Sequence, residues 1–452
     1  MFPVKPLNRI EAAYKILRRS LSVPRLAIVG SGPAGMFTCN GLMRRTRMLI
    51  DVFENAPVPF GLVRYGVAPD HQEMKNVIHT FDSMFENNRE RLRLFCNVQI
   101  GKHVSFKELT DNYDAVLLAY GSYKIRTLNI PGAQSKNVIA GGEFVRWYNG
   151  VPNVDGPNLN VKNAIVIGNG NVALDCVRIM ARAVSGELRS SDIPNDRLQI
   201  IETSPVEDVK VLGRRGPGDV SFTIKELREQ FKIPGWSSKI VMSESDMTLL
   251  QEAMAKMERK KKRLTEVLLK HVGVPAGPKR CSFLFHHVPQ EIISDSEGNI
   301  KALRVLNKES NEIVEMPCEL LIYSIGYETL VLDGIPKNDK NMIDMKDFCR
   351  VNMDENCRAA VYATGWCAHG PHGVIVDTQQ QSVLVAEEIA DDFADFRTSD
   401  SKSVMDVLLA RSVPFISWDE WKKIDDFEKE IGKKSGKIRE KLTEFGNIIR
   451  KG

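Results

Sequence analysis

Residues 25–36, RLAIVGSGPAGM, decide the fold: an apolar run ends in three glycines, Gly30, Gly32 and Gly35, and a helix-compatible segment follows. Residues 25–30 read as a buried strand, 33–46 as a helix and 48–54 (MLIDVFE) as a second strand, a βαβ unit closed by Glu54. Glycines at this spacing let a pyrophosphate approach the backbone, while the helix N-terminus faces it. An acid ending the second strand accepts from ribose hydroxyls.

A second unit, NAIVIGNGNVALDCVRIMAR at 163–182, repeats the order strand, glycine turn, helix, with Ala173 in place of the third glycine. Its next strand, DVKVLGRRG at 208–216, ends on Arg214 and Arg215 instead of an acid. A carboxylate there would repel a 2′-phosphate, whereas paired guanidiniums grip it through charge-assisted hydrogen bonds. The second turn is therefore expected to take NADP(H), and the first FAD. The alternative for Arg214 and Arg215 is a solvated loop with no ligand.

Two further apolar runs, YDAVLLAYGS (113–122) and RAAVYATGW (358–366), end on small-residue turns and read as strands returning beside the flavin, or else as plain core strands. The expected architecture is α/β with two Rossmann-like dinucleotide-binding domains of glutathione-reductase-like type. An NADP domain (123–325) is inserted into a split FAD domain (25–122 and 326–452).

The rest of the composition narrows the classes. A chain of 452 residues, 43% apolar and 27% charged, has the balance of a globular protein of two or three domains. A net charge of +4 is too small to point to nucleic acid, and no apolar run is long enough for a membrane-spanning helix. The eight cysteines never fall at C-x-x-C spacing, which argues for reduced thiols rather than a zinc knuckle or a redox dithiol. No Ser/His/Asp order and no HExxH occurs, and no metal is expected.

Residues 1–24 carry Lys5, Arg9, Lys15, Arg18 and Arg19 against the single acid Glu11, with Ile10, Tyr14, Leu17 and Leu21 on one helical face. This is the pattern of a mitochondrial transit segment, the alternative being an ordinary surface helix.

VPFGLVRYGVAPDH (58–71), GNGNVALD (168–175), GRRGPGDVSFTIKEL (213–227), HGPHGVI (369–375) and the tail GKKSGKIREKL together resemble the adrenodoxin reductase family of mitochondrial ferredoxin reductases, over roughly residues 24–452. The resemblance implies FAD contacts at Gly30, Gly32, Ala34, Gly35, Glu54, Leu62, Ile100, Trp366, Gly373, Val374 and Ile375. It implies NADP contacts at Asn169, Gly170, Asn171, Val172, Arg214, Arg215, Glu226 and again Gly373. Trp366 stands where disulfide reductases usually carry Asp. Ala368, His369 and His372 depart from the basic residues and Thr of the family, which leaves their side-chain roles open.

By the same resemblance, NADPH gives hydride to FAD and single electrons pass to an acidic 2Fe-2S ferredoxin of adrenodoxin type. That ferredoxin would feed mitochondrial P450s, iron-sulfur cluster assembly or haem synthesis. His71 and Asp175 are the polar residues expected near the flavin; the alternatives are a turn-capping His and a solvated helix carboxylate. Residues 245–272 read as one amphipathic helix with Leu250, Ala253, Met257, Leu264 and Leu268 on one side, crossed by RKKKR at 259–263. Arg259 and Arg263, four apart and so on one face, are the candidates for ferredoxin docking. A solvated helix face and a nuclear-localisation signal are the competing explanations of RKKKR.

The chain is expected to be a monomer of the mitochondrial matrix with at most peripheral contact with the inner membrane. Related modules that reduce another acceptor, such as the electron-entry part of glutamate synthase or a flavin monooxygenase, are the functional alternative. So is a non-catalytic binding protein of the same fold.

Overall fold

Runs of consecutive apolar residues, too short for core helices, make strands buried on both faces, and such strands pair in parallel. In the computed structural model, which describes residues 23–395 and 401–446, they form two parallel sheets. The leader expected over residues 1–24 lies outside the described residues apart from Val23 and Pro24.

The first sheet holds β1 (Arg25–Val29), β2 (Leu49–Glu54), β3 (Leu92–Cys96) and β4 (Ala115–Leu118). The chain then leaves it through β5 (Lys124–Ile125) and builds a second sheet from β6 (Val138–Ala140), β7 (Asn163–Ile167), β8 (Asp208–Leu212), β9 (Ser237–Val241) and β10 (Arg280–Leu284). An antiparallel sheet of β11 (His287–Ser294), β12 (Ile300–Asn307) and β13 (Glu312–Pro317) follows, and β14 (Leu320–Tyr323) closes the second sheet. The chain returns through β15 (Tyr327–Glu328), which pairs antiparallel with β5, and rejoins the first sheet as β16 (Ala360–Ala363).

The orders are β16-β4-β1-β2-β3 and β6-β14-β7-β8-β10-β9. β16 lies parallel to β4, so the two apolar runs read as return strands are neighbours in one sheet. Each sheet has its own buried core, and the two lobes meet along the segment 60–75 and the C-terminal tail. Leu26 and Ile28 of β1 and Ile165 and Val166 of β7 are fully buried, each contributing about 1.5–3 kcal/mol.

The expectation of one helix over 245–272 is corrected. The chain forms Glu244–Ala253, a short 3-10 turn, and then a separate helix Arg259–Lys270, with Met257 and Glu258 extended at ψ 145° and 150°. A straight helix would hold Leu250 and Leu268 about 27 Å apart. The break lets each turn inward on its own, and both are buried. Met257 folds back so that its sulfur accepts from Thr265 Oγ1 at 3.4 Å.

All eight cysteines are free and seven are buried. Among the described residues no helix is long and apolar enough to cross a membrane.

Candidate functional site

Both glycine turns sit at the C-terminal ends of their first strands, and their glycines divide by role. Gly30 has φ +107°, and a Cβ there would lie 2.5 Å from the Ala119 carbonyl oxygen. At Gly35 a Cβ would lie 2.2 Å from the Gly30 oxygen, so the helix Pro33–Arg45 packs closely on β1 only with glycine there. Gly168 repeats the first case, with φ +126° and 2.3 Å to the Ser324 oxygen.

Gly32 and Gly170 are different. Their backbones are extended, at ψ −179° and 173°, and nothing in the protein lies within 4 Å of where a Cβ would be. The chain itself does not require glycine at either place; each leaves an open space beside the start of its helix, as the close approach of a pyrophosphate would need. Gly170→Val is accordingly expected to change stability by less than about 0.5 kcal/mol and to weaken NADP(H) binding by at least about tenfold, read by thermal melting beside a nucleotide titration. Gly168→Val is expected to destabilise the lobe itself.

Around the first turn, Glu54 Oε2 accepts from the Ser31 amide at 3.0 Å and Ser31 Oγ at 2.6 Å, and Oε1 accepts from the Ala56 amide at 2.9 Å. The Phe60 amide donates to Ser31 Oγ, which brings the helix Gly61–Tyr65 over the turn with Leu62 45% exposed at its mouth. Ile100 is buried just beyond β3, where the Val98 amide donates to the Glu54 carbonyl.

The turn after β16 comes from the other direction. A Cβ on Gly365 would stand 2.7 Å from Ala34 Cβ, so Trp366 enters beside the first helix, and its Nε1 donates to the His372 carbonyl at 2.9 Å. Gly373 has φ +80°, and the Val374 amide donates to Asp377 Oδ2 at 2.9 Å where the helix Ile375–Asp392 begins. Ser382 of that helix donates to the Ala34 carbonyl. Thr364 Oγ1 is buried without a partner at the end of β16. Ala368 is buried, whereas His369 and His372 are exposed.

At the second turn the Asn169 carbonyl accepts from the Ser221 amide and Asn171 Oδ1 from the Thr223 amide, both at 2.8 Å. Asn169 Oδ1 is buried with no partner. Val172 follows at the start of the helix Asn171–Val184, against Gly141. Arg214 and Arg215 follow β8 as exposed side chains, with the Arg215 carbonyl held by the His286 amide at 3.1 Å. An orphaned buried amide oxygen, an open glycine and two exposed guanidiniums on one rim fit a phosphorylated dinucleotide.

Between the lobes lies a buried polar cluster. Arg178, fully buried, donates from Nε to Asp70 Oδ2 at 2.5 Å, from Nη1 to Glu226 Oε2 at 2.5 Å and from Nη2 to Asp175 Oδ1 at 2.6 Å. His71 Nε2 lies 2.6 Å from Glu229 Oε2, and Nδ1 lies 3.7 Å from Glu226 Oε1. Burial opposes the Arg178 charge, but Asp175, Asp70 and Glu226 outweigh it and hold the guanidinium well above its ordinary range. Burial pushes Asp175 up to about 7 against the pull of Arg178. Asp70 faces the same desolvation, yet the hydrogen bonds and charge of Arg178 bring it below the usual carboxylate range.

His71 and Asp175 thus share one network, in which Asp175 is no solvated helix carboxylate. Glu226 is committed to Arg178 within it. Arg178, Asp70 and Glu229 are the site residues that sequence reasoning missed. The one available signal was a second charge, Arg178, three residues after Asp175 in the mostly apolar helix run ALDCVRIMA.

Two dinucleotide turns on two parallel sheets, with a desolvated polar cluster between the lobes, define the class as a two-nucleotide oxidoreductase. Comparison with known proteins narrows it. A profile of the family described as pyridine nucleotide-disulphide oxidoreductase matches residues 24–388. The mitochondrial NADPH:adrenodoxin oxidoreductase of Drosophila melanogaster is 35% identical, covering 98% of this chain and 97% of its own. That of Homo sapiens is also 35% identical, with 94% and 91% covered. The structure of Mycobacterium tuberculosis FprA in complex with NADPH superposes with a TM-score of 0.83 at 31% identity, over 95% of this chain and 99% of that one. The chain belongs to the pyridine nucleotide-disulphide oxidoreductases and, within them, to the NADPH:adrenodoxin oxidoreductases. It is an oxidoreductase with FAD and NADP(H) as its cofactors.

Proposed function

We propose that the first lobe (25–122 and 326–452) binds FAD, that the second (123–325) binds NADPH, and that the protein passes electrons singly to an acidic 2Fe-2S ferredoxin of the mitochondrial matrix. The observation that carries the division is the contrast at the two rims: Glu54 ends the second strand of the first unit, and Arg214 and Arg215 end that of the second. A bound flavin supplies the conversion between two-electron hydride chemistry and one-electron transfer.

The chain's own residues bind and orient. Gly32 leaves the space for the FAD pyrophosphate, Gly30, Ala34 and Gly35 hold the turn and its helix close around it, and Glu54 receives the ribose. Leu62, Ile100, Trp366, Val374 and Ile375 shield the ring system from water, and the amides after Gly373 point from a helix N-terminus. Asn169, Gly170, Asn171 and Val172 cradle the NADP pyrophosphate, and Arg214 and Arg215 select its 2′-phosphate. The buried network of His71, Asp175, Arg178 and Glu226 fixes the approach of one cofactor to the other and holds a proton near neutral pH at Asp175.

Docking is assigned to the helix Arg259–Lys270. All five cations of RKKKR are exposed and occupy the N-terminal part of that helix, whose first turn holds no acid. Cations there oppose the helix dipole, which disfavours the local fold and so favours a role in recognition. An acidic ferredoxin supplies the missing counter-charge. Arg259→Glu with Arg263→Glu is expected to raise the apparent KM for ferredoxin by about tenfold or more at low salt, with NADPH-to-ferricyanide activity unchanged. A parallel fall in both activities would remove the docking assignment.

The relatives' names carry the word mitochondrial, and residues 1–24 have the basic, acid-poor composition expected of a transit segment. The protein is taken to act there as a monomer in at most peripheral contact with the inner membrane. The ferredoxin would serve P450s or iron-sulfur and haem synthesis.

A further inference from the structure

The C-terminal tail after the helix Trp418–Lys434 is rich in charge, and its charges are not on the surface. Gly436, at φ +71°, reverses the chain, and a Cβ on Gly432 would meet Arg439 Cα at 2.4 Å, so the tail folds back directly on the helix it has left. Arg439 Nη1 bonds to Asp425 at 2.8 Å and Glu428 at 3.1 Å, and the Leu442 amide donates to Glu428 Oε1 at 2.9 Å. Arg64, in the helix Gly61–Tyr65, bonds to the same Glu428 at 2.6 Å. The tail is thereby anchored to the first lobe.

Its other face is bonded to the second lobe. The Ile438 amide donates to the Ser190 carbonyl, the Asn195 amide to Glu440 Oε1 at 2.7 Å, and Lys437 Nζ reaches the Ile193 carbonyl and Asn195 Oδ1. At the centre is Lys441, whose fully buried Nζ lies 2.9 Å from Asp192 Oδ2 and 3.1 Å from the carbonyls of Arg64 and Asn149. Asp192 belongs to the second lobe, and the first lobe supplies its other donors too: Lys75 Nζ at 2.7 and 2.9 Å and Gln72 Nε2 at 2.7 Å.

Replacing buried ion pairs by apolar groups often costs no stability, so stability alone does not account for three buried charges at a lobe boundary. What directional bonds add is one allowed orientation. Lys441 finds acceptors from both lobes only when Arg64, Asn149 and Asp192 converge. Gln72 and Lys75 lie on the same short segment as Asp70 and His71, which meet Arg178, Glu226 and Glu229 of the second lobe. Among the described residues the chain itself crosses between lobes through the β5/β15 pair, and the tail is a separate link outside that crossing.

We infer that the tail is an interlobe strap, and that Lys441 and Asp192 are positioning residues that set the alignment of the nicotinamide-binding lobe on the flavin-binding lobe. This rests on the two-cofactor reading above. Reduction of the wild-type flavin by NADPH checks that reading by itself.

The test uses full-length holoprotein carrying Lys441→Met. In single turnover the rate of flavin reduction by NADPH is expected to fall at least about tenfold, because small misplacements of reacting groups cost that much. The equilibrium Kd for NADP+ should stay within about twofold. Amide exchange over residues 190–195 and 437–442 should rise about tenfold, with β1 and β7 still protected. A second variant, Lys75→Met with Asp192→Met and Lys441→Met, removes all three charges together and is expected to keep its thermal midpoint while remaining slow. A wild-type reduction rate in Lys441→Met would overturn the inference. So would a slow single variant whose rate and thermal midpoint are both restored in the triple one, since that assigns the charges to folding alone.

Discussion

Replacing Arg214 and Arg215 together by alanine is expected to lower kcat/KM for NADPH by about a hundredfold and to leave NADH turnover within about twofold. Each guanidinium that binds a phosphate makes charge-assisted hydrogen bonds contributing roughly 1.5–3 kcal/mol, and the lower end for both, about 3 kcal/mol, is a factor of about a hundred. The lower end applies because both side chains are exposed and screened. NADH lacks the phosphate and has nothing to lose at that rim. The loss should fall on KM more than on kcat, since the 2′-phosphate is remote from the reacting atoms and is bound alike before and during transfer. Steady-state kinetics with both nucleotides reads it. An unchanged preference for NADPH would move the 2′-phosphate away from the end of β8.

Arg178→Met carries the largest expected cost in stability. The guanidinium is fully buried and bonded to Asp70, Asp175 and Glu226, so its removal leaves carboxylates without a counter-charge at the lobe boundary, a loss of about 3–5 kcal/mol. The deficit should depend on pH with a definite sign. In the wild type, Asp70 lies below its ordinary range, so its contribution is present at neutral pH and lost as pH falls through that lowered value. Asp175, raised by burial to about 7, contributes stability at low pH that is lost as pH rises from about 4 through about 7. Without Arg178 the carboxyls of Asp70 and Asp175 lose the charge that pulls them down and shift upward, the folded state binds more protons than the unfolded one, and stability falls with rising pH. The variant should therefore approach the wild type near pH 5 and lag furthest at pH 8, in thermal melts at the two values. A deficit independent of pH would mean that Arg178 acts through packing alone.

What was legible in the sequence was what neighbouring residues decide together. Both glycine turns, Glu54 at one rim and Arg214 with Arg215 at the other lie within a few dozen residues of their strands, where period and spacing carry the signal. The two apolar runs read as return strands proved to be β4 and β16, side by side. Spacing did not show that Gly30 and Gly32 differ in role, since that depends on the position of Ala119, just past β4. Nor could amphipathic spacing tell one helix over 245–272 from two helices broken at Met257 and Glu258, because the apolar positions keep helical spacing on either side of the break. The pairs that join the lobes, Asp70 with Arg178, His71 with Glu229 and Asp192 with Lys441, are brought together by topology across long stretches of chain, and no local pattern announces them.

In the proposed function, electrons enter from NADPH at one turn, cross to a flavin at the other and leave for a ferredoxin. The most direct test is cytochrome c reduction by the purified holoprotein with NADPH or NADH, each with and without a mitochondrial 2Fe-2S ferredoxin. A rate that requires both NADPH and ferredoxin is the expected result. Equal NADPH oxidation without ferredoxin would contradict the account of the acceptor, and equal rates with NADH would contradict the assignment of the second turn.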